Sequence, residues 1–197
     1  MKKILLLSFA FVLATKVTGF AQAALPSSES VLTQAYAQAA KENKKVILIF
    51  HASWCGWCKR MDASLNDATT KSLFDSNYVI AHLDVLEQPA KKNLENPGST
   101  EALAKFGGEK SGLPFWLVLD SKGTVLADSQ VRPAGAALTT PGDNVGCPAE
   151  DSEIAFFTKI LKATSKLSDE QLAVIGKRFS LNKPAPAPAP VKTAGTK

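Results

Sequence analysis

Val46-Ile47-Leu48-Ile49-Phe50-His51-Ala52-Ser53-Trp54-Cys55-Gly56-Trp57-Cys58-Lys59-Arg60 is the stretch from which the rest of the chain can be read. Its first five residues form an apolar run rich in β-branched side chains, the pattern of a strand buried on both faces. Two thiols follow, three positions apart, where helix-forming composition begins. At a helix N-terminus the unpaired amides and the macrodipole favour an anion. Cys55 is therefore predicted to ionise more easily than the ~8.5 of a free cysteine and to act as the nucleophile. Cys58, one turn on, is near enough to attack a mixed disulfide formed at Cys55 and release the partner reduced. Lys59 and Arg60 add positive charge nearby.

Other readings of two cysteines at this spacing are weaker. A structural zinc site needs four ligands. Beyond the pair the chain offers Cys147, His51 and His82, with neither a second C-x-x-C nor an H-x-x-x-H spacing. Haem attachment needs His after the second cysteine, where Lys59 stands. A permanent structural disulfide would close so short a loop that it contributes little entropic stabilisation. The expectation is a redox-active dithiol with no metal and no dissociable cofactor.

Working outward, Ser27-Ser28-Glu29-Ser30 is suited to capping a helix over Val31 to Asn43, with Leu32, Ala35, Tyr36 and Ala39 at helical spacing. Residues from Gly56 to about Asn77 carry helix-forming composition. Further strands are predicted over Tyr78 to Val85 and Pro114 to Leu119, the latter turning through Asp120-Ser121-Lys122-Gly123 into Thr124 to Asp128. Thr100 to Phe106 reads as a short helix ended by Gly107-Gly108. Strands separated by helices imply an α/β fold built on βαβ units with a parallel core, the last hairpin adding an antiparallel edge. Pro148 to Thr164 brings Ile154, Phe157 and Leu161 onto one helical face, and Ser168-Asp169-Glu170-Gln171 is a capping box for a helix bearing Leu172, Ile175 and Phe179. Leu86 to Ser99 and Val131 to Gly146 read as loops.

The ends are of different character. Lys2 and Lys3, the apolar run Ile4 to Ala14 and the small-x-small sequence Ala21-Gln22-Ala23 read as an export signal over residues 1–23. Its removal leaves a charge of +2 in place of +5, so the basic balance is largely a targeting feature. Lys and Arg are otherwise scattered, which argues against nucleic-acid binding. No later stretch is long and apolar enough to span a bilayer. Residues 183–197 form a Pro/Ala-rich tail expected to be disordered, and residues 24–182 the folded domain with its C-terminal helical extension. The expected location is periplasmic or secreted, a setting in which disulfides form and persist.

Three features together resemble the thioredoxin superfamily over Val46 to Asp128: Trp54-Cys55-Gly56-x-Cys58-Lys59, the strand before it, and Gly112-Leu113-Pro114 opening the third strand. The helix start C-x-x-C-K-x-M, here Cys55 to Met61, is similar to that of exported thioredoxin-like proteins. The resemblance implies a central mixed sheet flanked by helices, a cis bond before Pro114 beside the dithiol, and a substrate platform at Leu113-Pro114. Trp54, Gly56 and Trp57 would complete the docking surface. Two departures stand out. Ile49 occupies the position of the buried acid of cytosolic thioredoxins and Ile80 that of its accompanying lysine. Gly56-Trp57 replaces the rigid Gly-Pro and adds an amide donor near the sulfurs.

The resemblance implies thiol-disulfide exchange with protein substrates and a partner that renews its redox state; with the export signal, those substrates are expected outside the cytoplasm, and a monomer with a potential in the reducing half of the range is expected. The alternative is a binding module that holds a partner on this face while its disulfide stays closed. His51 either approaches the thiolate or fills space as an aromatic; His82 carries no assigned role. Cys147, the odd thiol, is expected to be buried and inert.

Overall fold

The computed structural model describes residues 25–184. The expected export signal lies outside the described residues, as does the tail beyond residue 184.

The first helix, α1 (Ser28–Glu42), starts where the sequence places its cap: the Ser27 hydroxyl accepts the Ser30 amide at 3.2 Å. Asn43 closes it in the left-handed conformation, and the chain turns directly into β1 (Lys45–His51). Successive β1 side chains point to opposite faces. Ile47 and Ile49 enter one core cluster while Val46, Leu48 and Phe50 enter the other, which is why the strand is apolar throughout.

The helical stretch after the cysteines is two helices, α2 (Gly56–Leu65) and α3 (Lys71–Asn77). Short polar side chains take over backbone groups between them. The Asp67 carboxylate accepts the Thr69 amide and hydroxyl at 2.9 and 2.7 Å, and the Thr70 hydroxyl donates to the Ser64 carbonyl at 2.5 Å. Then come β2 (Tyr78–Asp84), a 3-10 turn over Pro89–Leu94 inside the expected loop, α4 (Ser99–Lys105) and β3 (Phe115–Leu119). A turn with Asp120 accepting the Lys122 and Thr124 amides leads to β4 (Val125–Asp128).

The sheet order is β2-β1-β3-β4, with β1 and β2 parallel and the other neighbours antiparallel. The sheet is thus mixed, as the resemblance implies, and the parallel core expected from strand-helix alternation is limited to one pair. The chain leaves the C-terminal end of β2, passes through α4 on one face of the sheet and re-enters at the end it left, with Phe115 opposite Phe50.

Helices α1 and α4 cover one face through Ala35, Ala39, Ala102 and Leu103. The other face holds Met61 and Leu65 of α2, Phe74 of α3, and two C-terminal helices, α5 (Asp151–Thr164) and α6 (Asp169–Ser180). Here Phe157 lies between Trp116, Phe179 and Phe74, with ring centroids 5.2, 5.0 and 6.3 Å away. Both helices begin on capping boxes, Glu150 with Glu153 and Ser168 with Gln171. The second was legible in sequence; the first starts α5 three residues later than Pro148. The loop expected over Val131 to Gly146 contains a small antiparallel pair, β5 (Gln130–Val131) with β6 (Asp143–Asn144). Among the described residues no helix is long and apolar enough to cross a membrane.

Candidate active site

Strand β1 delivers the chain to the reactive pair through a tight turn in which the Cys55 amide donates to the Ala52 carbonyl at 3.0 Å. Cys55 is the N-cap of α2, in extended conformation, and its Sγ accepts the Cys58 amide at 3.0 Å. No acid stands in the first turn of α2. The two cysteines are joined as a disulfide, with Cα atoms 5.3 Å apart. Both residues are buried, 3% and 2% exposed, so accessibility does not distinguish them; position does. Cys55 sits at the mouth of the helix, where an amide already points at its sulfur, and Cys58 lies inside the first turn.

The turn is tied down from the far side of β2. Glu87 is buried and accepts both the Ser53 amide and, at 2.9 Å, the Ser53 hydroxyl. The Trp54 indole donates to the Leu86 carbonyl at 2.8 Å while its ring remains 49% exposed. Trp57 is 40% exposed, with the Arg60 guanidinium 4.6 Å over its ring. Arg60 also donates to the Asn182 carbonyl at 2.7 Å. Though exposed, it thus bridges the site and the C-terminal segment. A Cβ at Gly56 would meet nothing within 4 Å, so this position leaves open surface between the tryptophans.

Across the sheet, Leu113 packs against Ala52, Cys55 and Cys58, and the Leu113–Pro114 peptide bond is cis. The Asn144 side-chain amide donates to the carbonyls on either side of Leu113, Gly112 at 2.7 Å and Pro114 at 3.2 Å. The Trp116 indole donates to the Gly146 carbonyl at 2.7 Å, fastening the β5–β6 segment beneath the same loop. Every residue proposed from sequence for the site, Trp54, Cys55, Gly56, Trp57, Cys58, Leu113 and Pro114, thus lies where the end of β1 meets the start of β3. Two residues that hold it, Glu87 and Asn144, escaped the sequence reading. Each acts through one long-range hydrogen-bonding side chain in a loop, which leaves no periodic signal.

Residues 28–121 match a family model described as thioredoxin-like. The chain carries a thioredoxin-like domain. Over 43 residues it is 40% identical to the probable protein disulfide-isomerase ER-60 of Schistosoma mansoni, a match covering 22% of this chain and 9% of that protein. The chain therefore spans less than a tenth of the curated relative it matches. Among solved structures it resembles a disulphide isomerase from Xylella fastidiosa Temecula1, with 26% identity over 53% of this chain and 78% of the other and a TM-score of 0.41. It also resembles the C-terminal domain of Neisseria meningitidis DsbD in its oxidised form, with 24% identity over 69% and 98% and a TM-score of 0.41. The thioredoxin-like domain contains both cysteines and Pro114, while Asn144, α5 and α6 lie beyond the matched residues.

Three remaining groups complete the picture. His51 does not turn to the sulfurs as one sequence reading allowed: its Nε2 lies 3.4 Å from Asp84 Oδ1, and its ring centroid is 4.9 Å from that of His82. Burial first, and then the His82 charge, pulls its pKa below the ordinary histidine value. His82 Nε2 is 2.9 Å from Asp62 Oδ1. Cys147 is buried, with the Asn182 amide 3.4 Å from its sulfur, and burial pushes its thiol up to about 12. In reduced protein at neutral pH, iodoacetamide should label Cys55 at least about 100-fold faster than Cys147. Peptide mapping of the label checks this, and comparable labelling of Cys147 would refute it.

Proposed function

We propose that this protein is a protein-disulfide oxidoreductase that exchanges disulfides with exported proteins in the periplasm or outside the cell. The observation that carries the reading is the Cys58 amide donating to Cys55 Sγ at the start of α2. When the pair is reduced, the same amide and the helix terminus stabilise a Cys55 thiolate. That thiolate attacks a substrate disulfide, one substrate sulfur leaves, and Cys58 then attacks Cys55 Sγ to release the second. The reverse sequence oxidises a dithiol. The match to a protein disulfide-isomerase at the sequence level supports this chemistry, and the export signal read at residues 1–23 supports the location. The cysteines carry all the electrons, so no dissociable cofactor enters the scheme. A monomer that meets a separate redox partner suffices.

The substrate would lie along Leu113, pairing its backbone with that residue, while Trp54 and Trp57 flank the sulfurs with apolar surface. Asn144 holds the carbonyls on either side of Leu113 and so fixes the platform without blocking it. Catalysis is favoured over the binding-module alternative because the nucleophile, resolving thiol and platform are all present.

The test is turnover: catalytic amounts should accelerate reduction of insulin by dithiothreitol, and Cys55→Ser should abolish the acceleration. Activity surviving in Cys55→Ser favours the binding module. Asn144→Ala should slow exchange with insulin by about 5- to 30-fold, the equivalent of about 1–2 kcal/mol for hydrogen bonds lost at a preformed site. Exchange with a small linear disulfide, which needs no docking strand, should change less than about 2-fold. Equal losses for both substrates would show that Asn144 merely stabilises the fold.

A further inference from the structure

Completing the exchange cycle requires Cys58 to give up a proton, yet Cys58 is 2% exposed and packs among Ala52, Cys55 and Leu113, whose side chains offer no carboxylate or imidazole to take it. Asp62 lies one turn further along α2, and side chains four residues apart on a helix are neighbours, with about 5–6 Å between their Cβ atoms. Asp62 Oδ1 is 2.9 Å from His82 Nε2 on β2, the His82 and His51 rings are tilted against each other with centroids 4.9 Å apart, and His51 Nε2 is 3.4 Å from Asp84 Oδ1. The remaining charge acting on His51 is Glu87, which is held by Ser53 and has Lys91 beside it. Asp62 and His82 are partly exposed, so the group reaches from the covered thiol to water.

We propose that Asp62 and His82 form a proton relay for the Cys58 thiol, with His51 positioned against the His82 ring. This inference rests on the exchange reading above. In the resolving step the Cys58 S–H proton passes to the Asp62–His82 pair, and a bond forms between Cys58 Sγ and Cys55 Sγ. The bond from Cys55 to the partner sulfur breaks, and the partner leaves as a thiolate with the bonding electron pair. The relay then releases the proton to water; in the opposite direction it returns the proton to Cys58. Imidazoles exchange protons near neutral pH, which suits them to passing a thiol proton to water. His51, whose pKa is lowered first by burial and then by the His82 charge, acts as a positioning residue packed against the His82 ring.

The experiment uses the reduced full chain and a nitrobenzoate aromatic disulfide, followed by stopped-flow absorbance from about pH 5 to 8. Attack by Cys55 releases one coloured thiolate, and resolution by Cys58 releases a second. In the wild type the second release should hold up towards the histidine range. In Asp62→Asn, at a partly exposed helix position that tolerates the change, and in His51→Gln it should be slower at neutral pH. The expected factor is on the order of 10- to 100-fold for Asp62→Asn and smaller for His51→Gln, with the rate now climbing about tenfold per pH unit as for a bare thiol. The first release should change less than about 2-fold. A second release with unchanged rate and profile in both variants, or both releases slowing together with unchanged profiles, overturns the relay. A wild-type protein that releases only one coloured thiolate overturns the exchange reading itself, and the relay with it.

Discussion

Cys58→Ala protein should accumulate mixed disulfides with its substrates, and Cys55→Ala protein should accumulate none. The asymmetry follows from the helix start. Cys55 is the N-cap, with an amide aimed at its sulfur at 3.0 Å, whereas Cys58 lies within the first turn and donates that amide. Without Cys58 the Cys55 thiolate still attacks, but nothing resolves the adduct. Without Cys55, the remaining thiol has lost the sulfur that forms the adduct and lies inside the first turn, away from the mouth of the helix. A thiol lowered from about 8.5 to about 7 is about half ionised at neutral pH, against about 3% for a free cysteine. Trapped adducts in envelope extracts, resolved by non-reducing electrophoresis and mass spectrometry, should therefore be at least about tenfold more abundant for Cys58→Ala. Equal trapping by both variants would remove the distinction between nucleophile and resolving thiol.

Phe157→Ala should cost about 3–5 kcal/mol of folding stability. Phe157 is fully buried between Trp116 of β3, Phe74 of α3 and Phe179 of α6. Its ring therefore joins α5 to the sheet as well as to its neighbouring helix. Rings in such a cluster gain edge-on contacts beyond the area they bury. Urea denaturation of oxidised protein measures the loss. A decrease below about 1 kcal/mol would mean that α5 and α6 form a detachable appendage, at odds with the single cluster they share with α2 and α3.

Much of this site was legible because its decisive signals are local. An apolar run, two cysteines at helical spacing and a proline opening a later strand are each contained in a few consecutive residues. The amphipathic faces of α5 and α6 were legible for the same reason, since Phe157 and Leu161, or Leu172, Ile175 and Phe179, recur at helical spacing. The direction of β3 was not, because it depends on which end of the sheet the chain re-enters, and no local residue pattern records that. The break between α2 and α3 also escaped, because Asp67 and Thr70 act on backbone groups only once those groups have come close. Glu87 and Asn144 lie 34 and 32 residues from the partners they hold. His51 and His82 could be seen individually, but the register that brings their rings together came only with the paired strands.

The reduction potential of the Cys55–Cys58 pair tests the central claim most directly. Protein equilibrated with a series of glutathione buffers, acid-quenched and alkylated, gives the fraction reduced at each poise. An exchange centre should titrate between about −270 and −120 mV, and the reducing half of that range is expected here. A pair that stays oxidised until below about −300 mV would be a structural disulfide, and the assignment of Cys55 and Cys58 as a turning-over redox centre would be contradicted.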